Sequence, residues 1–321
     1  MIDIFSIQPT VINRSLSGKT LLLAGEPKIG KSEFCASSPR TLIIATEVGY
    51  DFIPGVYVQN ITKWSEFKMI VTQLEQQEAK ERFDNIAIDT VNFLWDMCTT
   101  YICNQNQVKN ISDIPWGGGY KLRDEEFTKT LSKIPNLRYG LILTCHTKEQ
   151  ALSTEGEVTL YNIKPDLDKR CLPIINGMVD IIGIITKEWN DKGESERWLL
   201  TKATPSVTAG SRVKYLAPKI RFGYKYLEEA IGQAIDRYQN EGAEVVNSQA
   251  ETTTERTYES LKEEAFELWN KLVVNSPNGE ENAIKISKKV EMIFGKPIKI
   301  SEIPEDQLDM YELLVFEMNN L

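Results

Sequence analysis

At 321 residues with 41% apolar side chains, the chain is long enough for one large α/β core and a small appended unit, with no need of disulfide or metal staples. Five cysteines without a CxxC pair and a single histidine, His146, leave little material for a zinc site, and the thiols read as reduced. The net charge of −9 argues against a generally basic nucleic-acid binder.

The acidity is uneven: residues 255–321 hold 14 acidic and 8 basic residues, leaving 32 acidic and 29 basic in residues 1–254. A local basic groove on the core is therefore compatible with the overall charge. Residues 1–5 lack the basic region and apolar run of a signal peptide, and no stretch approaches the roughly 20 apolar residues that span a bilayer. The expectation is a cytoplasmic protein with no membrane partner.

Along the chain, short β-rich apolar runs recur at residues 20–24, 41–45, 85–89, 140–145, 179–186 and 197–203. Continuous apolar runs of this length, separated by helix-compatible segments, predict a mostly parallel sheet buried on both faces. Residues 65–80 and 120–134 read as the clearer intervening helices, the second ending before Pro135. Residues 240–257 lose apolar periodicity and read as a flexible polar linker between a core at 1–239 and a small helical unit at 258–321. In that unit Leu261, Ala265, Leu268, Trp269 and Leu272 share one helical face, Ile286, Val290, Ile293 and Phe294 a second, and Leu308, Tyr311, Val315 and Met318 a third.

The first run leads into Gly25-Glu26-Pro27-Lys28-Ile29-Gly30-Lys31-Ser32, a complete Walker A loop followed by helix-compatible Glu33. Glycines let such a loop wrap a phosphate so that amide groups converge on it, here from Gly25, Lys28, Ile29, Gly30, Lys31, Ser32 and Glu33. Lys31 reaches the β and γ oxygens and the Ser32 hydroxyl ligates Mg²⁺, so ATP and Mg²⁺ are the expected cofactors. The run 85–89 delivers Asp89 at its C-terminal end, the expected second Mg²⁺ residue, although a carboxylate there also suits a helix cap.

Thr90 occupies the position where many ATPases carry a catalytic glutamate, so a base must come from elsewhere. Glu47, just past the run 41–45, is the best donor and Asp51 the fallback; the alternative for Glu47 is a solvated loop acid. His146 ends the run 140–145, where a polar side chain either senses the γ-phosphate or sits as a satisfied core histidine.

With these residues in place the sequence resembles the RecA-like nucleotide-binding proteins of phages, the group that includes the Sak-type ATP-dependent single-strand annealing proteins. The matching stretches are Leu16-Ser17-Gly18-Lys19 leading into the loop, Ala45-Thr46-Glu47-Val48-Gly49-Tyr50, Ile88-Asp89-Thr90-Val91, and Asp113-Ile114-Pro115-Trp116-Gly117-Gly118-Gly119-Tyr120. Residues 139–146 follow, then Thr204-Pro205 with Ala209-Gly210-Ser211-Arg212. The resemblance implies a RecA-like P-loop core of the broad AAA type, Glu47 as catalytic base and His146 as polar sensor. It also implies a homo-oligomer with ATP between subunits, where Lys202 and Arg212 fit a role completing a neighbour's site; both also read as basic residues of a surface hairpin. Single-stranded DNA is the implied partner, with a single-strand-binding protein as a further one, in the cytoplasm of a phage-infected or lysogenic host.

Evidence for DNA contact in the residues themselves is limited to two segments. Trp116, Tyr120, Lys121 and Arg123 surround a glycine run, a combination suited to base stacking beside a phosphate track, and equally to a loop that packs its tryptophan inward. Lys148 and Lys164 lie in a polar segment after His146 that ATP could order. The six acidic and no basic residues of 302–317 act either as a brake on DNA or as a solvated helix face. The rival functions are a helicase-like motor and a nucleotide-switched protein-interaction module without DNA binding.

Overall fold

The computed structural model describes residues 16–155, 158–241 and 257–321, with the side chains of 152–160 excepted. Residues 1–5 and most of the expected linker lie outside the described residues. The chain divides into two compact units, one built on residues 16–241 and the other on 257–321. The first is an α/β layer structure.

Its sheet contains nine strands among the described residues, and six of them run parallel. These are β1 (Thr20–Ala24), β2 (Thr41–Ala45), β3 (Tyr57–Asn60), β4 (Asn85–Asp89), β5 (Gly140–Cys145) and β8 (Ile181–Trp189). They lie side by side in the order β8-β1-β5-β4-β2-β3. Three antiparallel strands, β9 (Ser195–Leu200), β10 (Gly210–Ser211) and β11 (Lys219–Arg221), finish the β8 side. A separate two-stranded arm, β6 (Thr147–Glu155) and β7 (Val158–Pro165), rises directly from the end of β5.

The apolar runs are continuous because alternate side chains serve opposite layers. Leu22, Ala24, Ile86, Ile88, Leu141 and Leu143 pack against α2 (Trp64–Gln73), α4 (Val91–Gln105), α5 (Gly118–Asn136) and α6 (Cys171–Met178). Leu21, Leu23, Ile43, Ala45, Ala87 and Ile142 pack on the other face, with Phe34 of α1 (Lys31–Ser37) and Leu227 and Ile231 of α7 (Tyr224–Asn240). Trp64, Phe67, Trp95 and Phe127 form an aromatic chain that joins α2, α4 and α5. Truncating Phe127, which is fully buried, costs about 3–5 kcal/mol.

Several element boundaries differ from expectation. The helix expected at 65–80 is α2 plus α3 (Gln77–Arg82), broken where the Tyr139 hydroxyl donates to the Leu74 carbonyl at 2.9 Å. Pro135 does not end α5, which continues to Asn136; one lost N–H in a last turn anchored by buried Leu131 and Ile134 is tolerated. The last two long strands are shifted toward their shared turn, because β8 and β9 extend past the sheet as a polar hairpin that an apolar criterion does not register. The helices α4 and α7 are not among the helices expected from sequence.

The second unit consists of α8 (Tyr258–Trp269), a π-helical turn at 270–274, α9 (Gly279–Phe294) and α10 (Leu308–Asn319). Its core unites Leu261, Ala265, Leu268, Ile286, Val290, Ile303, Tyr311, Leu314, Val315 and Met318, so all three expected faces meet. In the acidic stretch Glu302 pairs with Lys299 at 3.1 Å and Glu317 with Lys289.

Candidate nucleotide site

Because β1, β5, β4 and β2 are parallel neighbours, their C-terminal ends open onto one edge, where ligands of open α/β sheets bind. The loop between β1 and α1 occupies that edge. Gly30 has φ of 107°, a left-handed conformation that leads straight into α1. A Cβ on Gly25 would come within 2.9 Å of Ile29 and 3.1 Å of Ile185, so only glycine lets the loop start this close to β8.

Lys31 is buried and folds back over the loop, donating to the carbonyls of Gly25 at 2.9 Å and Glu26 at 2.8 Å. Burial lowers its pKa, and the nearby Asp89 carboxylate opposes that shift. Asp89 is the acceptor around which the site is organised. Its Oδ2 receives the hydroxyls of Ser32 at 2.7 Å and Tyr50 at 2.6 Å, and its Oδ1 that of Thr144 at 2.5 Å. The Tyr50 hydroxyl is held far above its usual range by burial, so it stays a neutral donor. The helix-cap alternative for Asp89 does not describe this arrangement.

The end of β2 is bound to the end of β4 by Thr46. Its amide donates to the Asp89 carbonyl at 2.9 Å, its hydroxyl donates to the Thr90 carbonyl at 3.0 Å, and it accepts from the Thr90 amide at 2.8 Å. The Asp89–Thr90 peptide is cis. The Thr46 bonds bring Glu47 beside Thr90, whose hydroxyl lies 3.4 Å from Glu47 Oε1. On the β5 side, the Gly25 amide donates to the Cys145 carbonyl at 3.2 Å, and His146 follows at once. His146 Nδ1 is buried without a hydrogen-bond partner among the described residues.

The β8–β9 hairpin grips the loop from outside. Lys187 lies 3.8 Å from Glu26, and Arg197 donates to the Ile29 carbonyl and to Glu33, both at 3.0 Å. Glu26, which departs from the small residues common in such loops, therefore has a local partner.

The family described as AAA domain matches residues 17–213. The chain belongs to it. The match spans the whole edge just described, from the residues before β1 to those after β10, and membership supports nucleotide binding there. The chain is also 27% identical over 333 aligned positions to the SPbeta prophage-derived uncharacterized protein YorG of Bacillus subtilis (strain 168), covering 100% of this chain and 98% of that protein. Among the described residues of this AAA protein, no helix is long and apolar enough to cross a membrane.

Not every residue singled out from sequence joins the AAA-domain site. Lys202 is not on a strand: β9 ends at Leu200, and Lys202 sits in an exposed bend beyond it. Arg212 bonds Asp180 at 3.2 Å and the Gly177 carbonyl at 2.8 Å. Asp180 in turn binds Thr20, the first residue of β1, so Arg212 lies at the opposite edge of the sheet from its own loop. Asp51 is exposed, and no bond ties it to Asp89.

Of the DNA candidates, Trp116 is fully exposed with φ of 60°, so the inward-packed alternative does not hold. Arg123 requires correction as a phosphate contact. Its guanidinium is buried 4.0 Å above the Trp95 ring and bonds Asp124 at 3.0 Å. Tyr120 is half-buried under Arg170, while exposed Lys121 lies 3.6 Å from Glu125. Lys148 and Lys164 face each other in register on the β6–β7 arm, paired with Asp166 and Gln150 respectively.

The residues missed from sequence are Tyr50 as an Asp89 partner, Thr144, Thr46, Lys187 and Arg197. Thr46 and Tyr50 lie in the stretch 45–50, Thr144 in 139–146 and Arg197 at the start of the run 197–203, while Lys187 lies just past the run 179–186; nothing local to these positions marks their contacts.

Proposed function

We propose that this chain is a Mg²⁺-dependent ATPase that assembles on single-stranded DNA and promotes annealing, with ATP bound between subunits. The observation that supports it most is the placement of Asp89, gathered by Ser32, Tyr50 and Thr144 beside the Lys31 loop. An all-oxygen set of hydroxyl and carboxylate suits a hard cation that neutralises β- and γ-phosphate charge when bound. Lys31 would exchange its two carbonyl partners for phosphate oxygens, and Glu47 would orient and deprotonate the attacking water. His146, whose Nδ1 lacks a partner, would report the γ-phosphate to the β6–β7 arm. Arg212, remote from its own loop, would act on a neighbour's nucleotide.

The DNA part rests on the family resemblance, the prophage origin of the similar Bacillus protein, and the exposed Trp116. The site of action would be the cytoplasm of a phage-infected or lysogenic cell, with a single-strand-binding protein as a further partner. One set of contacts favours a second reading, a nucleotide switch for a protein partner: Lys121, Lys148 and Lys164 all have partners already. ATPase assays with and without single-stranded DNA, run beside sizing in ATP, separate the two. Stimulation and assembly by DNA support annealing, whereas hydrolysis and assembly indifferent to polynucleotide select the switch. No hydrolysis under any condition overturns both as ATPases.

A further inference from the structure

The C-terminal unit leaves an apolar groove open between α8 and α9. It has a volume of about 890 Å³ and is walled by Ala265, Phe266, Trp269, Ile284, Ile298 and Ile300, with buried Tyr311 of α10 as its floor. Phe266 and Ile284 stand 67% and 58% exposed along it, so the unit's own core does not cover them. Contiguous apolar surface of this kind marks a docking site. Of the charged residues on its wall, Lys262 and Lys299 are basic and Glu263 is acidic. The wall from Lys262 to Trp269 runs about 10 Å along α8, a length that grips a short stretch of helix laid in the groove.

The same unit carries a surface that fits it. Met310, Leu313 and Phe316 recur every third residue along α10 and are all exposed, an apolar stripe about 9 Å long. It lies in the all-acidic stretch 302–317, where Glu302 and Glu317 are paired. Glu305, Asp306, Asp309 and Glu312 have no ion pair among the described residues. We infer that the groove receives α10 of a second copy of this chain, its stripe lying on Phe266 and Ile284 and its acids facing Lys262 and Lys299. This contact is separate from the nucleotide site and needs no ATP. Its direction follows from α10 itself. Tyr311 faces the groove of its own copy, and Leu313 lies about 200° further round the helix, on the opposite side of the unit. One neighbour cannot satisfy both surfaces at once, so the contact runs head to tail and repeats from copy to copy instead of closing as a two-fold dimer.

Sedimentation velocity of the full chain, free of nucleotide and Mg²⁺, tests this over a concentration series. The parent should grow past a dimer as concentration rises. Phe266→Asp spoils the groove and Leu313→Asp the stripe; each puts a charge into the apolar contact and should weaken association by about tenfold or more. Both side chains are exposed, so thermal melts should match the parent's, and Phe266→Ser with Leu313→Ser replaces the pair if an aspartate lowers the melt. Mixed together, the two variants should form one-to-one dimers that grow no further. The intact groove of Leu313→Asp takes the intact stripe of Phe266→Asp, and both outer ends are then blocked. A parent that stays monomeric overturns the proposal and leaves the groove to a helix of another protein. Undiminished association in either variant, a parent that stops at a dimer, or a mixture of folded variants that stays monomeric overturns it as well.

Discussion

The Ser32 hydroxyl donates to Asp89 across 2.7 Å, joining residues 57 positions apart in the chain, one in the first turn of α1 and the other at the end of β4. Removing that hydroxyl leaves Asp89 with donors from Tyr50 and Thr144. Ser32→Ala should therefore change folding stability by only about 1 kcal/mol. Loss of a metal-coordinating hydroxyl should cut Mg²⁺-dependent ATP turnover by about tenfold or more. Paired urea denaturation and turnover measurements check this; equal turnover in the variant would remove Ser32 from the metal site.

Lys31→Ala should abolish detectable hydrolysis. The ammonium is the loop's only cation buried beside Asp89, and the alanine leaves the carbonyls of Gly25 and Glu26 without their donor. Nucleotide binding by calorimetry and phosphate release report on it together, and normal turnover would overturn the site.

Much of this arrangement is legible in the sequence because it is local. The glycines, Lys31 and Ser32 lie within one loop, and Asp89 ends a short apolar run that reads as a strand and forms one. Thr144 is invisible for the opposite reason: it sits inside a run that reads as strand filler, and only the neighbouring register with β4 turns its hydroxyl to Asp89. Arg197 likewise lies in a charged hairpin with no local sign that its tip folds over the loop. The helix α4 is hard to read from sequence because its aromatic, threonine and isoleucine content suits a strand as well as a helix.

Trp116 and Arg123 should separate cleanly by experiment. Trp116→Ala removes no buried contact, so it should leave the melting temperature unchanged while weakening single-strand binding by about 1–3 kcal/mol. Arg123→Ala strips the cation from Trp95 and Asp124 and should cost about 1–3 kcal/mol of stability. Thermal melts and fluorescence anisotropy with a labelled oligonucleotide decide; full DNA affinity in Trp116→Ala would take that residue out of the interface.

Mixing variants tests the shared site. Arg212→Ala and Glu47→Ala should each be nearly inactive alone and regain activity together, because a mixed interface can pair one intact Glu47 with one intact Arg212. Co-assembly without any recovery would show that Arg212 serves only its ion pair with Asp180.

The cysteines predict a pH response. All five are buried, and burial pushes Cys145 up to about 12 and Cys35, Cys98 and Cys171 upward as well. An unfolded thiol loses its proton near pH 8.5, whereas the folded one keeps it. The stability linked to these groups is thus complete below about pH 8.5 and declines as pH rises toward the folded values. The urea midpoint should fall between pH 8 and pH 10, and iodoacetamide at pH 8 should label the native protein far more slowly than the denatured one. Rapid native labelling would contradict the burial.

The alternation of strand side chains between two helical layers sets where this fold can change. A polar substitution at either parity of β1, β4 or β5 wounds one layer or the other, so the strand interiors tolerate almost nothing. The residues just past β2, β4 and β5, as with Glu47, Thr90 and His146, belong to neither apolar layer. New chemistry can be tried there repeatedly at little risk to folding, and a lineage that lost its glutamate beside Asp89 could recruit another from the adjoining strand without rebuilding the sheet.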